Sequence, residues 1–93
     1  MTRSRSKILL VDDTETNIKL LRALLAGAGY EVAAARSGTE ALAAAEREDP
    51  DLILLDIMMP DLTGFEVCQR LRAAERTRGI PVVFLTALHE LED

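Results

Sequence analysis

The sequence predicts an α/β fold built on a parallel sheet. Three observations carry that prediction. Short apolar runs alternate with stretches of helical period along the chain. Alternation of this kind implies parallel strands joined by right-handed helical crossovers. The runs are near-continuously apolar, as in a sheet covered on both faces. Several of them also end in an oxygen-bearing side chain: Ile8-Leu9-Leu10-Val11 in Asp12-Asp13, Leu52-Ile53-Leu54-Leu55 in Asp56, and Val82-Val83-Phe84-Leu85 in Thr86-Ala87. Three strands that deliver such groups at their C-terminal ends point to one site. Asp56 is read as held at an exposed strand tip, not hidden in a core.

The elements follow in order. Lys7 to Val11 reads as a buried strand. Thr14 offers its side-chain oxygen as a helix cap, and Ile18, Leu21, Leu25 and Ala28 follow at spacings of three and four, with Leu20 and Leu24 widening the stripe. Gly27 and Gly29 lie where that helix should stop. Glu31 to Ala35 is a second, weaker strand. Ser37-Gly38-Thr39-Glu40 has capping-box spacing and opens an alanine-rich helix to about Arg47. Asp49-Pro50 reads as the turn after it, with proline biasing Asp49 toward extended geometry. Leu52 to Leu55 is the third strand. Thr63-Gly64-Phe65-Glu66 repeats the capping spacing and opens a helix with Phe65, Cys68 and Leu71 on one face. Arg76 to Gly79 is a polar connection. Pro81 starts a fourth strand, where a missing N–H is tolerated. A further helix is expected to begin within 87–93.

Size and composition bound the function. Ninety-three residues allow one domain, taken to span 1–93. Hydrophobic content of 48% is ample for a globular fold, and with three aromatic residues the core must be aliphatic. A formal net charge of −5 argues against direct nucleic-acid binding. No apolar run approaches the ~20 residues that span a bilayer, so no membrane partner is expected. The basic start, Thr2 to Lys7, reads as a flexible leader. The single cysteine, Cys68, permits no internal disulfide, so a reducing cytoplasm is the expected compartment; the thiol is read as core.

In open α/β sheets, ligands bind beyond the carboxyl ends of the strands, where strand order reverses. That rule puts Asp12, Asp13, Asp56 and Thr86 along one edge. At about 4 Å, two like charges cost about 4 kcal/mol at an effective dielectric of about 20. A divalent cation removes that cost. Oxygen donors favour Mg²⁺ or Ca²⁺, and a site with few protein ligands suits Mg²⁺. A carboxylate beside Mg²⁺ can attack phosphorus, with Asp56 as the nucleophile because it is the one acidic residue at its strand tip. Thr86 would bind the transferred oxygens, and the small Ala87 would leave room for a phosphodonor. Asp12 and Asp13 are adjacent, so one of them faces the crevice however the strand ends. Met58 and Met59 are read as packing residues, with function assigned only to the Met58 backbone carbonyl. Pro60 and Gly64 are given shape, not chemistry.

Lys7 to Asp13, Leu54 to Glu66 and Pro81 to Ala87 together resemble the receiver domain of bacterial two-component response regulators, over about Lys7 to Leu88. The resemblance implies a flavodoxin-like parallel sheet in the order 2-1-3-4, cut to about four strands and three helices. It implies a phosphoprotein of a phosphorelay, not an enzyme in its own right. Asp56 would be the phosphoacceptor, served by a histidine kinase or phosphotransfer protein and read by an output domain or partner. It implies Mg²⁺ held by Asp13, Asp56 and the Met58 carbonyl, with Asp12 acting directly or through water, and Thr86 as the switch hydroxyl.

Complete members of that family continue to a fifth strand ending in a lysine. The lysines here are Lys7 and Lys19, and Lys7 begins the first strand, roughly 16 Å from the catalytic edge at about 3.3 Å per residue. The fourth strand is therefore expected to be a bare edge that invites self-association or domain swapping, and the first helix to leave its leucines partly uncovered. Two other readings compete. A phosphorylation-impaired assembly module fits the missing lysine. A phosphatase with an aspartyl nucleophile would need a second aspartate where Met58 stands.

Overall fold

The computed structural model describes residues 5–85. The elements run β1 (Lys7–Val11), α1 (Glu15–Gly27), β2 (Glu31–Ala35), α2 (Gly38–Glu48), β3 (Leu52–Leu55), α3 (Gly64–Ala73) and β4 (Val82–Phe84). The four strands form one parallel sheet in the order β2-β1-β3-β4, as the family resemblance implies. Ile8 pairs with Val32 on one side and Leu52 on the other, and Ile53 pairs with Val82.

Side-chain alternation along the strands divides the core into two layers. Leu9 and Val11 of β1 with Ile53 and Leu55 of β3 pack against Ala41, Ala44 and Ala45 of α2 and Val67 and Leu71 of α3. The alanines let α2 approach the sheet closely. On the other face α1 packs against β1 and β2, with Ile8, Leu10 and Ile18 buried. Each fully buried leucine or isoleucine contributes about 1.5–3 kcal/mol of transfer free energy. Leu20 and Leu24 are more than half exposed, whereas Leu21 and Leu25 are half-buried.

Several local details differ from the sequence reading. Thr14 stands at the N-cap of α1, but its side chain makes no capping bond. Asp49 closes α2 in the left-handed region, at φ 49, instead of the extended geometry its proline neighbour suggests. Aspartate tolerates that conformation better than most residues. On α3 the buried face is Gly64, Val67 and Leu71, with Cys68 half-buried. Phe65 is 60% exposed and lies off that face, where its ring meets Phe84 of β4 at a centroid distance of 5.1 Å. The 76–79 connection is not simply polar: Thr77 is buried and its hydroxyl donates to the Leu71 carbonyl at 2.8 Å. That bond ties the segment to the end of α3. The helix expected within 87–93 lies outside the described residues.

Candidate functional site

The sheet ladder itself assembles the site. At the C-terminal edge, the Asp12 N–H donates to the Ala35 carbonyl at 3.1 Å and the Asp56 N–H to the Val11 carbonyl at 2.9 Å. The Leu85 N–H donates to the Leu55 carbonyl at 2.9 Å. The strands therefore end level with one another. Between β1 and β3 the chain order reverses, the place where open α/β sheets bind their ligands.

Asp12, Asp13 and Asp56 each bring a carboxylate oxygen to this edge, all within 4.8 Å of one another. Asp12 is 1% exposed and Asp56 0%, whereas Asp13 is exposed. Asp56 was expected at an exposed tip. It is at the tip but fully buried. A hard, all-oxygen set with two carboxylates out of water fits a divalent cation, which offsets repulsion that solvent cannot screen.

The two buried aspartates also brace the turns that follow them. Asp12 Oδ1 accepts the Thr14 N–H at 2.8 Å and Asp56 Oδ1 the Met58 N–H at 3.3 Å. Both are bonds to the backbone two residues on, the habit of aspartate at turns. Asp12 Oδ2 also accepts from Asn17 Nδ2 at 3.2 Å. Asp12 thus fixes the chain at the entry to α1.

After Asp56 the chain is pinned at further points. The Gly64 N–H donates to the Ile57 carbonyl at 2.7 Å. A Cβ on Gly64 would stand 2.6 Å from the Asp56 carbonyl oxygen, so only glycine permits this approach. The shape role expected for Gly64 is thus specific. Thr63 and Glu66 form a complete capping box: Glu66 N–H to Thr63 Oγ1 at 3.1 Å and Thr63 N–H to Glu66 Oε1 at 2.9 Å. Met59 packs on the core, but the Met58 side chain is 64% exposed and does not pack as the sequence reading had it. Thr86 and Ala87 lie outside the described residues.

Sequence reasoning missed Asn17 and Asp61. Asp61 takes hydrogen bonds from the Gly38 and Thr39 N–H groups and from the Thr39 hydroxyl, at 2.9, 2.9 and 2.8 Å. These bonds hold its carboxyl well below the usual carboxylate range, the Thr39 N–H first. The Pro60-Asp61 pair signals a turn, but nothing local says that its carboxylate caps a different helix.

The family model described as the response regulator receiver domain matches residues 8–93. The chain is 53% identical over 83 residues to the response regulator PleD of Caulobacter vibrioides, covering 89% of this chain and 18% of that protein. It is 46% identical over 87 residues to the polar-differentiation response regulator DivK of Brucella ovis, covering 94% of this chain and 68% of that one. The chain thus spans less than a fifth of PleD and about two thirds of DivK. Among solved structures, the receiver domain of the sensor histidine kinase PA1611 of Pseudomonas aeruginosa, described with a magnesium ion in its active site cleft, aligns with a TM-score of 0.82. The identity is 34%, over 87% of this chain and 66% of that one. With sheet order, strand-tip carboxylates and sequence likeness all in agreement, this chain belongs to the response regulator receiver domains.

Proposed function

We propose that this chain is a phosphoacceptor module in which Asp56, with Mg²⁺ bound beside it, takes a phosphoryl group from a histidine kinase or phosphotransfer protein. The observation that carries the reading is the pair of buried carboxylates at adjacent strand tips, with Asp13 completing the oxygen set. When bound, Mg²⁺ supplies charge neutralisation for the carboxylates and for the oxygens in transfer. Asp13, Asp56 and the Met58 carbonyl would hold it, with Asp12 contributing directly or through water.

An Asp56 carboxylate oxygen would form the new bond to phosphorus while the bond between phosphorus and the donor imidazole nitrogen breaks, its electron pair staying on that nitrogen. Asp12 keeps its bonds to Thr14 and Asn17, so the start of α1 stays fixed while Asp56 reacts. Thr86 remains the proposed hydroxyl partner of the phosphoryl group, and Ala87 the residue that leaves access. The added charge of about −1.5 to −2 would bias a surface read by an output domain or partner.

Incubation with acetyl phosphate and Mg²⁺ should add one phosphoryl group by intact mass, and Asp56→Asn should abolish it. Retained labelling in that variant would reject the assignment. Self-association belongs to the same proposal: among the described residues β4 pairs with β3 alone, and Val83 is 49% exposed. A compact monomer in sedimentation at micromolar concentration would count against that part.

A further inference from the structure

We propose that Asp61 is a positioning residue for the metal-binding segment, coupling the first turn of α2 to the Met58 carbonyl; this rests on the Mg²⁺ reading above. Asp61 Oδ1 accepts from the N–H groups of Gly38 and Leu62 at 2.9 and 2.8 Å, and Oδ2 from the N–H and hydroxyl of Thr39 at 2.9 and 2.8 Å. One carboxylate thus takes four hydrogen bonds, three of them from residues 22 or 23 positions away.

The donors show what is being held. The first turn of α2 presents the N–H groups of Gly38, Thr39 and Glu40 without intrahelical partners. Ser37 Oγ accepts the last at 3.1 Å, and Asp61 accepts the other two. The Ala41 N–H already reaches the Ser37 carbonyl at 2.9 Å. Capping of α2 is therefore shared between a residue of its own and one from the segment that follows Asp56. Contact is close on both sides of that segment. A Cβ on Gly38 would stand 2.6 Å from the Leu62 Cβ, and one on Gly64 would meet the backbone of Asp56 and Ile57.

The 57–63 segment is consequently tied at both ends and in its middle. Asp56 Oδ1 takes the Met58 N–H, the Ile57 carbonyl takes the Gly64 N–H, and Asp61 grips α2. Met58 sits between the first tie and the Asp61 tie. The two ties therefore bound the stretch that carries the Met58 carbonyl.

The test uses Mg²⁺ alone as the probe and the isotope-labelled full chain. Amide resonances are followed by NMR and affinity is measured by calorimetry. In the wild type, the Gly38 and Thr39 amides should shift with the same Mg²⁺ midpoint as the Met58 amide. Asp61→Ala should weaken Mg²⁺ binding by about tenfold, the scale for lost supporting contacts at metal sites. Asp61→Asn, which keeps one acceptor oxygen, should restore part of it. Ser37→Ala removes the other α2 cap without touching the 57–63 segment. It should lower the melting temperature but leave Mg²⁺ affinity within about twofold, on the same scale of supporting contacts. Wild-type affinity in Asp61→Ala, or equal weakening in Ser37→Ala, overturns the proposal. If Asp61→Ala does not fold, Gly38 and Thr39 amides unmoved at Mg²⁺ saturation in the wild type overturn it equally. A wild type with no Mg²⁺ response at any residue overturns the underlying metal reading, and this proposal with it.

Discussion

Replacing Asp56 with asparagine should raise the melting temperature of the metal-free protein, although Asp56 is the proposed reactive residue. The magnitude follows from the geometry. The ligand oxygens of Asp12, Asp13 and Asp56 lie within 4.8 Å of one another. At that separation a like-charge pair costs about 3.5 kcal/mol at an effective dielectric of about 20. The full figure applies to Asp12 and Asp56, which are both buried. Asp13 is exposed, and solvent reduces its share to about 1 kcal/mol or less. Against this gain stands the bond from the Met58 N–H, 3.3 Å long, which weakens by about 1 kcal/mol when its acceptor loses charge. The net stabilisation is about 2.5–3.5 kcal/mol. Each kcal/mol moves the melting temperature of a domain this size by about 4–8 °C.

Calorimetric melts in chelator, then with Mg²⁺, test this directly. In chelator the variant should melt higher. At a hundred times its dissociation constant, Mg²⁺ stabilises the wild type by about 2.7 kcal/mol. The variant should gain less, so the gap narrows or reverses. A variant that melts at or below the wild type in chelator, or that gains as much from Mg²⁺, would refute the claim that buried carboxylate repulsion is what the cation relieves.

Gly64→Ala should destabilise by about 1–3 kcal/mol in urea melts despite alanine's better helix propensity, because its Cβ meets backbone at 2.6 Å. Gly27→Ala, with nothing within 4 Å of the new methyl, should instead stabilise by up to about 1 kcal/mol, and a loss there would contradict the contrast. Thr77→Val should lower stability by about 1 kcal/mol through the lost bond to the Leu71 carbonyl, measurable as a shifted urea midpoint with unchanged slope. Lys7 Nζ lies 3.2 Å from Glu48 and 3.6 Å from Glu31, and the hydrogen bond to Glu48 raises the lysine above its ordinary value while lowering Glu48. A raised lysine contributes stability that is complete below its unfolded pKa of about 10.4 and is lost as pH climbs through the higher folded value. Glu48 behaves inversely: its contribution is present above about 4.3 and fades as pH falls through its lower folded value. Urea midpoints measured across both limbs should fall at each end, and Lys7→Met should remove the alkaline step attributable to this pair.

The strands and their acidic ends were legible because each rests on contiguous residues. An apolar run closed by aspartate states both its burial and the place where the chain leaves the sheet. Both capping spacings were read correctly for the same reason, since Ser37 with Glu40 and Thr63 with Glu66 lie within one turn. Choices among neighbours were not legible. Phe65 and Val67 are both apolar, and only the position of β4 decides that Phe65 meets Phe84 while Val67 enters the core. Thr14 has the chemistry of a cap and stands at the N-cap, yet its hydroxyl makes no capping bond. Asp61 was invisible in its capping role because its main partners lie more than twenty residues earlier. No local period encodes such a pairing.

The burial of Asp56 has a mechanical consequence under the proposed phosphotransfer. A surface carboxylate could be modified with little effect on the backbone. Asp56 instead holds the Met58 N–H, and the same segment is fastened to α3 through Gly64 and to α2 through Asp61. Phosphorylation changes both the charge and the acceptor geometry at the one atom group on which that turn depends. The close contacts at Gly64 and Gly38 leave the turn little room to move inward against α2 and α3. An adjustment there bears on the first turns of α2 and α3, to which the segment is bonded. Those turns end in exposed residues, among them Thr39, Glu40, Phe65 and Glu66, which a partner can read. The same close packing that puts like charges out of water thus gives chemistry at the strand tip a route to the surface.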